Sequence, residues 1–242
     1  MIQDETARKA IHRNERLIVA LDVPAVDEAK ALVETLGDTV CFYKIGLELF
    51  MAGGYFELLE WLTRRGNKVF VDLKFFDVPE TVRAAVRGLR NRGVTFATVH
   101  GNQAMLEAAG KDKGDVKILA VTVLTSLDRG DLDDLGFQCD VERLVLSRAR
   151  RALEAGCDGV ISSGLEAAAL KRELGSRVLV VTPGIRPVEN RPADDQKRTV
   201  DVAQAFANGA DYIVVGRPVR KASDPRVAAA AIQRTIASVF PE

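Results

Sequence analysis

Apolar runs of five to eight residues recur along this chain, and stretches with helical periodicity separate them. The runs fall at residues 17–23, 40–46, 68–75, 96–100, 117–124, 159–163, 178–184 and 211–217. Most are apolar on nearly every residue, the pattern of parallel strands covered on both faces rather than of half-exposed antiparallel ones. Amphipathic segments at 25–36, 48–65, 79–92, 141–155 and 201–208 lie between runs, and one at 225–239 follows the last. A further short helix is expected at 5–11, as part of an N-terminal extension over about 1–15. Eight strands, each followed by a helix, in 242 residues predict an α/β fold, a single-domain (β/α)8 or TIM barrel spanning 1–242. Periodicity alone leaves a doubly wound open sheet as the competing architecture.

Composition narrows the partners. Lys+Arg and Asp+Glu both total 34, so the formal net charge is zero. That balance argues against nucleic acid or an anionic membrane as the main partner. No apolar run approaches the ~20 residues of a membrane span, and the polar start is unlike a signal peptide. Cys41, Cys139 and Cys157 have no paired metal-ligand spacing and read as reduced thiols of a cytoplasmic protein.

The chemistry concentrates in residues 68–82. Strand alternation puts Phe70, Asp72 and Lys74 on one face and Val71, Leu73 and Phe75 on the other. Asp77 follows three residues after the lysine, and Pro79 is placed to open a helix. Charges on an apolar strand are costly to bury without compensation, so the set is either a structural ion pair or a reactive one. In a barrel of this kind functional groups gather at the C-terminal strand ends. Those ends carry Asp22, Lys44, Asp72 with Lys74, His100, Thr125 with Ser126, Ser162 with Ser163, Gly184 with Arg186, and Gly216 with Arg217. The opposite ends read as polar or glycine-containing turns. The stretches 182–186 and 214–218 follow strands seven and eight, where glycine, helix N-termini and arginine suit a phosphate group.

Other features have plainer readings. His100 is taken as structural, and Phe56, Leu59 and Trp61 as core residues at helical spacing. The stretches 111–113 and 148–151 read as solvated helix surface. No Walker-type loop or zinc motif indicates a nucleotide cofactor or zinc. Carboxylates alone leave magnesium open.

Several stretches together resemble one family, the orotidine 5'-phosphate decarboxylases in their bacterial form. They are Ala20-Leu21-Asp22, Tyr43-Lys44-Ile45-Gly46, Asp72-Leu73-Lys74-Phe75-x-Asp77-Val78-Pro79, and Val121-Thr122-Val123-Leu124-Thr125-Ser126. Thr182-Pro183-Gly184-Ile185-Arg186-Pro187, Asp195-Gln196-x-Arg198 and Val215-Gly216-Arg217-Pro218 complete the set. The resemblance covers nearly the whole chain. Val78 stands where isoleucine is usual, and the loop at 188–193 is this chain's own.

This resemblance implies conversion of orotidine 5'-phosphate to UMP and carbon dioxide in pyrimidine synthesis, with no cofactor and no metal. It implies that Lys74 protonates the carbon losing carbon dioxide and that Asp72 faces the substrate carboxylate. Lys44 and Asp77 would complete an alternating network, with Asp77 and Thr81 supplied across a homodimer interface. By the same resemblance Asp22 would bind the ribose, Thr125 and Ser126 the pyrimidine, and Arg186, Gln196, Gly216 and Arg217 the phosphate. The rival readings are a metal-dependent sugar-phosphate enzyme on the same barrel, which shares the Asp-x-Lys-x-x-Asp signature, and a non-catalytic phosphate binder.

Overall fold

The computed structural model describes residues 11–100, 102–186 and 199–241. Eight parallel strands close into a barrel in chain order: β1 (Leu17–Ala20), β2 (Phe42–Gly46), β3 (Lys68–Phe75), β4 (Val94–His100), β5 (Lys117–Val121), β6 (Gly159–Ile161), β7 (Leu179–Thr182) and β8 (Tyr212–Val215). β8 pairs with β1 through Leu17–Ile213, Ile18–Val214 and Val19–Val215, which excludes an open sheet. The expected helix at 5–11 lies outside the described residues, apart from Ile11.

Strand alternation sorts side chains into two cores. Ile18, Phe42, Phe70, Phe96, Leu119, Val181 and Tyr212 point inward and fill the barrel. Val19, Tyr43, Val69, Val71, Ala97, Val160 and Ile213 point outward and pack with the helices. Aromatic edges close the inner core, with Phe42 and Phe96 centroids 5.2 Å apart and Phe96 and Tyr212 5.1 Å apart. This layer of rings lies beneath the cavity at the C-terminal mouth.

The helices are α1 (Val26–Leu36), α2 (Leu47–Met51), α3 (Tyr55–Arg64), α4 (Pro79–Arg87), α5 (Gln103–Lys111), α6 (Arg129–Asp134), α7 (Val141–Glu154), α8 (Ala167–Leu174), α9 (Val202–Ala207), α10 (Arg217–Arg220) and α11 (Pro225–Val239). Pro79 opens α4, and Asn102, Asp140, Asp201 and Asp224 cap α5, α7, α9 and α11 through their side chains.

Several expectations need correction. The single helix over 48–65 is two, because Gly53 and Gly54 take φ of +80° and +67° and break the ladder. Arg217 does not end β8 but begins α10. Phe56 is 40% exposed beneath Arg92 rather than in the core. Arg148 is half-buried and donates to the Thr122 carbonyl at 2.7 Å, so 148–151 is not all solvated surface. Asp112 likewise sits partly buried among Arg83, Arg87 and Arg90.

The N-terminal end of the barrel carries two carboxylates with a structural task. Asp158 accepts from Ile118 N–H at 2.8 Å and pairs with Lys113, and Asp211 repeats the device with Val180 and Lys171. Each carboxylate satisfies the N–H of a neighbouring strand, the stabilising role expected at that end.

Candidate active site

β3 loses its regular pairing just where its charges lie. Val71 is opposite Ala97 and Phe75 opposite Val99, so three residues of β3 face one of β4. Within this bulge Lys74 adopts φ +48°. Phe70, Asp72 and Lys74 all face the cavity at the barrel mouth, while Leu73 and Phe75 pack on the outer core.

A line of alternating charges crosses the mouth. Asp22 Oδ1 lies 2.8 Å from Lys44 Nζ, Lys44 Nζ 3.5 Å from Asp72 Oδ2, and Asp72 Oδ1 2.9 Å from Lys74 Nζ. The middle pair is buried, with side chains of Lys44 and Asp72 only 11% and 12% exposed; the terminal Asp22 and Lys74 are 40% and 34% exposed. Burial works against the charge on Lys44, but Asp72 and Asp22 outweigh it and hold the ammonium above its ordinary value. Burial would likewise raise Asp72, and Lys44 and Lys74, helped by hydrogen bonds from Lys74 and Thr98, reverse the direction and keep it low. The inner pair is thus locked in its ionised form, and the Lys74 ammonium faces open space.

The same cavity, of about 320 Å³, is lined at its other side by Thr125, Ser126, Gly184, Arg186, Gly216 and Arg217. Gly184 needs its freedom, with φ +75°. Arg186 is buried and its N–H donates to the Val200 carbonyl at 3.0 Å, beside an isolated bridge between Ile185 and Val200. Gly216 stands at the start of α10, which puts Arg217 in its first turn.

Asp22, Lys44, Asp72, Lys74, Thr125, Ser126, Arg186, Gly216 and Arg217 therefore share one cleft. Asp77 and Thr81 do not line it: both are exposed, and Asp77 accepts from Val78 N–H at 2.7 Å. Within this chain it is Asp22 that ends the network, a contact motif spacing alone did not reveal. Gln196 lies outside the described residues. Arg220, not singled out from sequence, also lines the cavity and has a buried Nε with no hydrogen-bond partner among the described residues. Its position three residues after Arg217, on the same turn, was the available signal.

His100 stands beside the mouth rather than in this cavity, edge-on to Phe76 at 5.4 Å. Burial, then the charges of Arg148 and Lys74, push its pKa below the ordinary value.

Fold and cleft together define a class, the closed parallel (β/α)8 barrels with a charged cleft at the C-terminal mouth. Within that class the chain belongs to the orotidine 5'-phosphate decarboxylase / HUMPS family, whose model matches residues 15–232. It is 67% identical over 234 residues to the orotidine 5'-phosphate decarboxylase of Methylococcus capsulatus, covering 97% of each chain. Identity to the enzyme of that name from Xanthomonas campestris pv. campestris strain B100 is 54% over 231 residues, covering 94% of this chain and 95% of that one. Among solved structures, orotidine 5'-phosphate decarboxylase from Lactobacillus acidophilus superposes with a TM-score of 0.81 at 36% identity, covering 92% of this chain and 99% of that one. The Pyrococcus horikoshii OT3 enzyme gives 0.72 at 26% identity, over 91% and 98%.

Proposed function

We propose that this protein decarboxylates orotidine 5'-phosphate to UMP and carbon dioxide, the step that completes UMP in pyrimidine synthesis. The observation that carries the reading is the Asp22–Lys44–Asp72–Lys74 chain, which ends in an ammonium facing a cleft with Gly184, Arg186, Gly216 and Arg217 on its other side.

Breaking the bond to the carboxylate leaves its electron pair on a ring carbon with no adjacent sink. Stabilisation must then come from charge already in place, and a fixed ammonium supplies it without reorganisation. Lys74 is the group for this, and its Nζ proton then passes to the ring carbon. Its 34% exposure lets the amine regain a proton from water. Asp72 holds Lys74 by one oxygen and Lys44 by the other, and the substrate carboxylate would be set beside it. Lys44 and Asp22 form the end of the chain opposite Lys74 and offer groups to the ribose hydroxyls, while Thr125 and Ser126 face the pyrimidine. Arg186, Gly216 and Arg217, with Gln196, receive the phosphate, and binding there is spent on positioning the distant carbon. Each step uses the chain's own residues, so no cofactor is called for.

The active unit is a homodimer in this reading. Asp77 and Thr81 lie outside their own cleft, next to exposed Phe76 and Val78, and Leu47, Phe50 and Met51 are exposed after the neighbouring strand. That apolar surface supports a partner subunit there, with Asp77 and Thr81 completing the partner's cleft. Among the described residues no helix is long and apolar enough to cross a membrane. Three unpaired cysteines support a cytoplasmic setting.

The deciding experiment follows absorbance during incubation of the purified protein with orotidine 5'-phosphate and a chelator. Conversion to UMP is expected. A protein that binds UMP but leaves the substrate intact would sink the proposal, and turnover abolished by the chelator would move it to a metal-dependent enzyme.

A further inference from the structure

A lysine at φ +48° is a rare conformation, and it persists only where its surroundings hold it. At Lys74 the holding group is a side chain from the next strand. Across the β3 bulge the backbone N–H of Lys74 donates to Thr98 Oγ1 at 3.0 Å. The same hydroxyl donates to Asp72 Oδ1 at 2.9 Å, and Lys74 Nζ donates to that oxygen at 2.9 Å. These three bonds close a ring that runs from the lysine backbone through Thr98 and Asp72 back to the lysine ammonium.

A hydroxyl has one proton to give and lone pairs to receive, so Thr98 satisfies the N–H and orients the carboxylate at once. Its residue is wholly buried, with 0% exposure, and water has no access to replace it. The β-branched side chain has restricted χ1, which fixes where the oxygen stands. Thr98 does not line the cavity and can touch no substrate atom there.

We propose that Thr98 is a positioning residue for the decarboxylation: its hydroxyl couples the left-handed backbone of Lys74 to the orientation of the Asp72 carboxylate, and so fixes where the ammonium is presented. This inference rests on the reading of Lys74 as proton donor. Without the hydroxyl, the Lys74 N–H loses its acceptor and the Asp72 carboxylate can rotate. The ammonium then samples several positions, which harms an interaction made in the transition state more than one made with product.

The test compares Thr98→Val, which keeps the shape and removes the hydroxyl, with Thr98→Ser, which keeps the hydroxyl. Wild-type turnover of orotidine 5'-phosphate is measured first; its absence overturns the decarboxylase reading and this inference with it. With wild type active, Thr98→Val should lose about 10- to 100-fold in kcat while UMP affinity changes by less than about threefold. Thr98→Ser should recover to within about fivefold of wild type. If Thr98→Val does not fold, Thr98→Ser and Thr98→Ala differ only in the hydroxyl, and the same split is expected between them. Undiminished kcat in the hydroxyl-free variant, equal losses of kcat and UMP affinity, or no recovery with serine would each overturn the role of Thr98 and leave the decarboxylase reading standing.

Discussion

Gly46 lies against the ammonium of Lys44, so closely that a Cβ on it would sit 3.2 Å from Nζ. The same atom would be 3.6 Å from Asp22 Oδ1, in ordinary contact. Gly46 has φ of −122°, which any residue can adopt, so space and not backbone freedom calls for glycine here. In Gly46→Ala the flexible end of Lys44 would shift by a few tenths of an ångström, disturbing both its 2.8 Å contact with Asp22 and its 3.5 Å contact with Asp72. Stability should change by less than about 1 kcal/mol, since alanine suits a strand at least as well. Activity should fall by roughly tenfold from misplacement of the network. Denaturation and steady-state kinetics on one preparation separate the two; unchanged activity would show that the network tolerates the shift.

Lys74→Ala removes the group proposed to act mainly in the transition state. Its kcat should fall by at least about a hundredfold, the lower end for a general acid, and further if its charge also stabilises the carbanion. UMP binding, measured by calorimetry, should weaken far less. Near-normal turnover in a folded variant would remove Lys74 from the mechanism.

Arg217→Ala should raise KM and reduce kcat/KM by about 2–4 kcal/mol, the scale for truncating one side of a desolvated charge contact. Orotidine, which has no phosphate, should show a much smaller loss. Comparable losses on both substrates would place Arg217 outside the phosphate site.

The eight strands were legible because strands covered on both faces are apolar on almost every residue. The clustering of Asp22, Lys44, Asp72, Lys74 and Arg217 at one end followed from strand direction alone. What stayed hidden depends on contacts between distant segments. Nothing in the chemistry of lysine marks Lys74 for a positive φ, and a threonine in a strand such as Thr98 is ordinary. Leu47 through Arg64 keeps an apolar period across Gly53 and Gly54, and that period masked the break between α2 and α3 that the paired glycines signal. The alanine-rich α8 has too weak a stripe to stand out, though Ala167, Ala169 and Leu170 are buried.

His100 gives a pH prediction. Its folded pKa lies below the ordinary 6.5, through burial first and then through Arg148 from α7 and Lys74 from β3. Below 6.5 the unfolded chain takes up a proton that the folded one resists, so stability is lost as pH falls from 6.5 toward the folded value. Asp72 is also depressed, from 3.8, and its contribution is lost only at more acid pH. His100→Gln should therefore flatten stability against pH just below 6.5 and leave the strongly acid limb alone. Urea melts of both proteins across that window, taken as a difference, isolate the effect; parallel curves would refute it.

The proposal that two subunits share each cleft makes the most demanding prediction. Asp77 is exposed on the turn between β3 and α4, with its carboxylate on the Val78 N–H and not on the network of its own chain. Lys74→Ala and Asp77→Ala homodimers should both be nearly inactive. In a mixed dimer one cleft combines both defects, whereas the other has Lys74 from one subunit and Asp77 from the other, both intact. Each mixed dimer thus regains one site of two, or about a quarter of all sites after random exchange of equal amounts. Native mass spectrometry can establish the exchange independently of activity. Exchange without recovered turnover would mean that Asp77 acts within its own chain or not at all.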